Sequence, residues 1–345
     1  MTTRLPFAGL LGGSLLLAAS LAPSAQAQTT LNMSSWVPPT HFLVTDILEP
    51  WMADIEKATE GRVKIKILPK PVGSPPQHFE LARKGVADIT WGNFTYEPDR
   101  FKSLWFAELP FAGANGEAAG AALWQTYEKY LADNPAFAGV KMLGVGMLGG
   151  GSIHHGSKAI VEPDDLNNQK IRMGGPIQKR LLEDLGAIPI ADAAPKAYEL
   201  LESGVIDGSL HSLESVINFR VEDKLKYHTM VPDGFYDGTF FIVMNERKWN
   251  RLSEADREAI MSVSGEVLSR RWGAQFDAQN KAAQEKLTAE GHTFSTPSPA
   301  LLDKISQVRD GILADWEKDA GNFGVSDAQG MVEFYQQHYK QNVGQ

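Results

Sequence analysis

Along this chain the apolar positions switch repeatedly between two periods. Val63, Ile65 and Ile67 alternate with Lys64 and Lys66, the two-residue period of a strand with one covered face. Leu31-Asn32-Met33-Ser34-Ser35-Trp36 and Val86-Ala87-Asp88-Ile89-Thr90-Trp91 predict two more strands. Between them Ile47, Leu48, Trp51, Met52 and Ile55 recur at three and four residues, which predicts a helix from about Phe42 to Thr59, stopped by Gly61. Later, Ile171 and Met173 alternate with Lys170 and Arg172. Gly174-Gly175-Pro176 ends that strand, and Pro176 suits the first turn of a helix whose Ile177, Leu181, Leu182 and Leu185 share one face. Strand, helix and strand in succession predict an α/β fold with parallel strands.

The pattern partly repeats. Glu80-Leu81-Ala82-Arg83-Lys84-Gly85-Val86-Ala87-Asp88 resembles Glu199-Leu200-Leu201-Glu202-Ser203-Gly204-Val205-Ile206-Asp207, 119 residues later. Each is a helix end, a glycine and a strand start, and each follows a strand-plus-helix. That spacing is too long for a solenoid and predicts two similar α/β lobes. Val140 to Gly151 reads as a glycine-rich crossing strand and hinge, and Gly238 to Asn245 as a second crossing strand. The first contains G-x-G-x-x-G, but no helical period follows it, so a dinucleotide site is not expected. Ser253, with Asp256 three residues on, caps a helix that runs without proline toward Glu290. At 1.5 Å per residue it would reach roughly 55 Å, enough to brace both lobes, with Gly265 and Gly273 as places to break or bend. Pro299 to Tyr339 is amphipathic and helical.

The chain's start changes the setting. Arg4, an apolar run from Leu10 to Leu21 and Ala25-Gln26-Ala27 make residues 1–27 a secretory signal, with Gln28 the first mature residue. The run is too short for a membrane span, and no later stretch is long and apolar enough. An exported periplasmic protein is expected. Its formal charge of −9, or −10 once Arg4 is removed, argues against nucleic acid and against a polybasic membrane surface. With no cysteine, disulfides, thiol catalysis and lipid attachment through Cys are excluded, and stability must come from core burial.

Catalytic constellations are poor. There is no G-x-S-x-G, and His154-His155 are adjacent rather than at metal-ligand spacing, so no metal or other cofactor is expected. His211 and His228 stand alone, and lone histidines are more often structural. The strand ends are richer: Trp36, with His41 after it; Trp91, Asn93, Phe94 and Tyr96; Phe235 and Tyr236. Aromatics with a few polar groups at the ends of α/β strands suit a small-molecule pocket, although each alone also suits a core. Arg172 sits at the carboxyl end of a strand beside a helix N-terminus, where open α/β sheets bind ligands and anions are favoured. By local pattern alone it reads equally as a solvated surface arginine.

Taken in order, Gly85-Val86-Ala87-Asp88-Ile89, Glu108-Leu109-Pro110-Phe111, Pro163-Asp164-Asp165-Leu166, Lys170-Ile171-Arg172, Gly204-Val205-Ile206-Asp207-Gly208, Val243-Met244-Asn245, Trp249 and Leu252-Ser253 make the whole mature chain resemble the solute-binding proteins of TRAP transporters, the DctP-type periplasmic family. The resemblance implies a two-lobed α/β periplasmic-binding-protein fold with crossing strands and a long helix across both lobes. The expected division is 28–150 plus 238–275 for the first lobe and 151–237 plus 276–345 for the second. It further implies a monomer without enzymatic activity that delivers a small organic acid to a membrane permease. An ABC-type binding protein and an exported enzyme using His211 or the His154-His155 pair are the alternatives. In the family, the arginine of the K-I-R strand makes a two-pronged bond to the ligand carboxylate, and Arg172 occupies that position; a guanidinium fork matches a carboxylate as lysine does not. The other expected wall residues are Trp36, Trp91, Asn93, Phe94, Tyr96, His154, His155, His211, Phe235 and Tyr236. Two departures stand out. Where many members place an Asn after the second G-V-x-D-G, this chain has Ser209-Leu210-His211-Ser212-Leu213-Glu214, and the Ser152-His155 segment lacks the second arginine of sialic acid-type members. The aromatic supply favours a bulky or aromatic acid over a sugar acid.

Overall fold

A computed structural model describes residues 1–3 and 28–343; the signal sequence expected over 1–27 falls, but for its first three residues, outside them. In chain order the strands are β1 (Thr29–Ser34), β2 (Val63–Ile67), β3 (Ile89–Asn93), β4 (Val140–Met147), β5 (Ser152–His155), β6 (Lys170–Met173), β7 (Ile188–Ala191), β8 (Gly208–His211), β9 (Tyr227–Thr229), β10 (Thr239–Asn245) and β11 (Thr293–Ser295). The α-helices are α1 (Glu49–Ala58), α2 (His78–Lys84), α3 (Gly116–Thr126), α4 (Pro176–Asp184), α5 (Ala197–Glu202), α6 (Leu213–Asn218), α7 (Glu246–Trp249), α8 (Glu254–Ser262), α9 (Glu266–Ala289), α10 (Pro299–Asp319) and α11 (Ala328–Val343). The helix expected from Phe42 opens as a wide π-helical turn over Leu43–Leu48, and Pro50 then enters the first turn of α1.

The two predicted lobes are two sheets. The first runs β2-β1-β3-β10-β4 and the second β11-β9-β5-β8-β6-β7. In the first, β1 lies parallel to β2 and β3, and β10 closes antiparallel on β3. In the second, β6 lies parallel to β7 and β8, and β5 closes antiparallel on β8. The repeated segment explains the likeness. Gly85 and Gly204 both end a helix at positive φ, +75° and +69°, a conformation glycine adopts without a Cβ penalty. Asp88 then accepts from the Asn32 N–H (2.8 Å), and Asp207 from the Lys170 N–H (2.9 Å). The same carboxylate thus pins the same neighbouring strand in each lobe.

The crossings differ from expectation. β4 and β10 lie side by side within the first sheet, and the chain passes between lobes in two short connectors that meet at the Gly151–Tyr236 bridge. Asp237 fixes them, its carboxylate accepting from the N–H groups of Leu148 (2.9 Å), Gly150 (3.3 Å) and Gly238 (2.6 Å). The glycines of β4 serve packing: a Cβ at Gly146 would lie 2.4 Å from the Trp272 ring, and one at Gly144 would lie 3.0 Å from Leu268.

The long helix is also modified. It breaks at Gly265, whose φ of +60° separates α8 from α9. Ser253 does cap α8, accepting from the Asp256 N–H. At 24 residues α9 is about 36 Å long, and it still braces both lobes. Trp272 and Phe276 join the core beneath the first sheet, and Ala283 and Leu287 pack with Leu213 and Val216 of the second lobe. Gly273 makes no bend; it lets α3 approach so closely that a Cβ there would lie 1.9 Å from the Gly116 carbonyl oxygen. The C-terminal segment divides. α10 packs on α4, while α11 packs on α3 of the first lobe, contrary to the assignment of 276–345 to the second. The amphipathic face of α4 is buried as predicted, Ile177, Leu181 and Leu182 being at most 1 % exposed, each contributing about 1.5–3 kcal/mol.

Candidate functional site

The two sheets face one another across a cleft whose floor is formed by the connectors and by α9. Arg172 is the third residue of β6, flanked by β7 and β8, so its side chain leaves a central strand and is only 4 % exposed. Its Nε donates to the Asp192 carbonyl and its Nη1 to the Leu210 carbonyl, both at 2.9 Å. These bonds set the plane of the guanidinium. No carboxylate among the described residues comes within 4.0 Å of it. A buried cation costs several kcal/mol unless an opposite charge meets it, and none among the described residues does so.

The cavity beside Arg172 is lined from both lobes. The second lobe adds His211 and Glu214, with Phe219 behind them; the first adds Trp36, His41, Asn93, Thr95 and Tyr96; Tyr236, Phe240 and Phe276 close the floor. Its void is about 60 Å³. At about 10–15 Å³ of such space per water it holds about four to six waters, roughly the displacement of a one-ring acid. The lobes are closed upon it. The Tyr96 hydroxyl of the first lobe accepts from the Ala194 N–H of the second at 3.1 Å. A Cβ on Gly175 would lie 2.7 Å from the Thr95 Cβ. Gly175 therefore admits the opposite lobe at close range.

The electrostatics favour one negative charge. Arg172 is the sole Lys or Arg on the wall among the described residues. Burial, and then the neighbouring Arg172, hold His211 well below the usual histidine range, and burial lowers His41 to about 4, so both are neutral at pH 7. Glu214 is buried and pushed upward, against three donors: the hydroxyls of Ser212 (2.8 Å) and Ser215 (2.6 Å) and the Asn218 amide (2.6 Å). Trp36 Nε1, His41 Nε2 and His211 Nε2 are buried with no hydrogen-bond partner among the described residues.

Of the wall residues expected from the sequence, Arg172, Trp36, Asn93, Tyr96, His211 and Tyr236 meet at this cavity, whereas five do not. Trp91 is fully buried beneath Trp36, their rings stacked at 4.5 Å, and its Nε1 donates to Ser35. Phe94 packs in the first-lobe core with Phe101 and Phe241. Phe235 is core, its neighbour Tyr236 taking the cavity. His155 bonds Gln169 at 3.0 Å. His154 lies in a buried chain: its Nε2 meets the His211 carbonyl (3.1 Å), its Nδ1 meets His228 Nδ1 (2.8 Å), and His228 Nε2 meets His292 Nδ1 (2.8 Å). Because a carbonyl only accepts, His154 carries its proton on Nε2, and each next histidine must donate back along the chain. Missing from the sequence reading are Thr95, Phe219, Phe240 and Phe276; His41 stands in it only as the residue after Trp36, and Glu214 only as an alternative to His211 in place of the family's Asn, and both line the cavity. Among the described residues no group of three acidic or histidine side chains is placed to hold a metal, and no helix is long and apolar enough to cross a membrane.

The family model for DctP, bacterial extracellular solute-binding protein, family 7, matches residues 33–319. Among solved structures, a TRAP periplasmic solute-binding protein from Bordetella bronchiseptica with bound (R)- and (S)-mandelate is 34 % identical at a TM-score of 0.87, covering 91 % of this chain and 99 % of that one. A marine-metagenome TRAP solute-binding protein specific for aromatic acid ligands, in complex with 3-hydroxybenzoate, is 29 % identical with a TM-score of 0.85 over 92 % and 99 % of the two chains. One from Rhodoferax ferrireducens T118 with copurified benzoate is 25 % identical with a TM-score of 0.84 over 92 % and 99 %.

Proposed function

The chain belongs to the bacterial extracellular solute-binding proteins, family 7, and from that premise we propose that it captures an aromatic monocarboxylate between its lobes and hands it to a TRAP membrane permease. The observation that carries this reading is the buried Arg172 guanidinium, fixed by two backbone carbonyls and lacking a carboxylate partner among the described residues. A carboxylate meeting its free edge supplies the missing charge through charge-assisted hydrogen bonds. Among the described residues one cation lines the wall, which favours one carboxylate over two. Trp36, Tyr96, Tyr236, Phe219, Phe240 and Phe276 give a ring flat apolar surfaces. The likeness to receptors holding mandelate, 3-hydroxybenzoate and benzoate supports the same class.

In this reading residues 1–27 direct export to the periplasm, the mature protein acts as a monomer without cofactor, and nothing is turned over. Ligand binding draws the lobes together, and the closed face is what the permease receives. A thermal-shift screen tests it: aromatic monocarboxylates at 100 times their Kd stabilise the protein by about 2.7 kcal/mol, whereas C4-dicarboxylates and neutral amides do not. Stabilisation by dicarboxylates alone would refute the reading.

A further inference from the structure

Resting on that reading of Arg172, we infer that the ligand carries, besides its carboxylate, a neutral acceptor oxygen received in the first lobe by the N–H groups of His41 and Trp36. His41 is 6 % exposed. Its Nδ1 accepts from the Leu43 N–H at 3.2 Å, so the lone pair points there and the proton sits on Nε2. That N–H belongs to a residue that lines the cavity, and it is buried without an acceptor among the described residues. Trp36 Nε1 is a donor by chemistry and is equally unpaired, on a ring held in place by stacking against Trp91. Buried donors left unpaired cost free energy, and native proteins rarely tolerate two together without a use.

Position gives the pair its meaning. Trp36 and His41 follow β1 in the first lobe, whereas Arg172 lies near the carboxyl end of β6 in the second. An acid gripped only by Arg172 is bound to one lobe. An acid whose second oxygen reaches His41 and Trp36 is held by both, and that bond forms only on closure. Both receiving groups are uncharged, and among the described residues Arg172 is the one Lys or Arg on the wall, so a second buried negative charge would find no cation: the oxygen they take is a hydroxyl, carbonyl or ether rather than a second carboxylate. The ligand class is therefore an oxygenated aromatic acid, and the second lobe reads its charge while the first reads its oxygen.

Isothermal titration tests this with benzoate and phenylacetate against their oxygen-bearing counterparts: the 2-, 3- and 4-hydroxybenzoates, 3-formylbenzoate and mandelate. In the wild-type protein at least one oxygenated acid binds tenfold or more tightly than its bare parent. His41→Phe, which keeps a flat ring, and Trp36→Phe each remove that advantage, the oxygenated acids losing more affinity than benzoate does. Arg172→Met weakens all the acids alike. Equal affinity for bare and oxygenated acids in the wild type overturns the inference. So does a His41→Phe variant that loses benzoate as heavily as the oxygenated acids, since His41 would then serve the carboxylate. Failure of every aromatic acid to bind is a different result: it overturns the Arg172 reading first, and this inference with it.

Discussion

Gly175→Ala is a wedge placed where the lobes meet. Gly175 has an ordinary extended backbone (φ −151°), so alanine introduces no local strain. Its Cβ, however, would lie 2.7 Å from Thr95 Cβ and 2.9 Å from Thr95 Cγ2 across the cleft, where ordinary contact begins at 3.4 Å. The lobes must part at this point by about 0.7 Å. That alone stretches the 3.1 Å bond from the Ala194 N–H to the Tyr96 hydroxyl beyond hydrogen-bonding range. Overpacking of this kind costs about 1–3 kcal/mol, and it falls on the closed state only, because an open cleft separates the two residues. Affinity for the ligand should therefore drop by about 5- to 150-fold, while the ligand-free protein melts where the wild type does. Titration calorimetry reads the first, a thermal melt the second, and small-angle scattering shows whether the liganded variant stays more extended. Thr95→Gly in the same chain removes both contacting atoms and restores most of the loss. Wild-type affinity in Gly175→Ala, or a loss that Thr95→Gly does not relieve, would refute the reasoning.

Three further outcomes follow from other parts of the molecule. His154, kept neutral by burial with its pKa lowered to about 4, binds a proton only when unfolded between that value and about 6.5, so stability is lost as pH falls through this window; at pH 5 the loss is about 2 kcal/mol, and in His154→Gln the difference in unfolding free energy between pH 7.5 and pH 5 should shrink by that amount in urea titrations. Gly273→Ala sets a Cβ 1.9 Å from the Gly116 carbonyl oxygen between α3 and α9, backbone against backbone with nothing to yield, and should lower the unfolding free energy by about 3 kcal/mol or more. Asp237→Asn replaces one of the acceptor oxygens that hold Leu148, Gly150 and Gly238 with a donor, and should cost about 1–3 kcal/mol of stability in the same measurement.

Much of the scaffold is legible in the chain because it is local. Gly85 and Gly204 announce themselves through the helix ends they close, and Asp88 and Asp207 through their fixed distance from those glycines; together they reveal two lobes before any contact is known. Arg172 is legible for the same reason, its strand, glycine pair and helix being contiguous. What failed was parity and distance. Phe235 and Tyr236 are consecutive, as are His154 and His155, and neighbours on extended chain point to opposite sides, so both members of a pair cannot face one ligand. Trp91 and Asn93 share a face of β3, yet only Asn93 reaches the cavity, because Trp36 covers Trp91. Phe276 sits on α9, more than 100 residues from Arg172 in the chain, and nothing near it in sequence distinguishes its inward face as a ligand wall. The glycines of β4 misled in another way: their spacing imitates a nucleotide loop, whereas it records where Leu268 and Trp272 of α9 press on the strand.

The duplicated architecture also bears on how the proposed ligand would bring the lobes together. The lobes are joined by two connectors that cross at Gly151 and Tyr236, by α9, and by an apolar cluster that draws buried side chains from both. Asn280 of α9 donates to the Leu148 carbonyl at 3.1 Å and accepts from the Glu214 N–H at 3.0 Å, linking a connector to the wall of the second lobe. In the proposed reading, a ligand contact made in both lobes favours the closed state over the open one by its own free energy.

The central claim is that Arg172 holds a carboxylate. Its most direct test is calorimetry of wild type and Arg172→Met with one aromatic acid and the matching amide, benzoate and benzamide, or the oxygenated pair that binds best. Breaking a desolvated charge pair costs about 2–5 kcal/mol, so the variant should lose roughly 30-fold or more in affinity for the acid. The wild type should ignore the amide, and the ligand-free variant should fold as the wild type does, since a buried unpaired charge has been removed. Acid binding within threefold of wild type in Arg172→Met, or an amide that binds the wild type as tightly as the acid, would contradict the account.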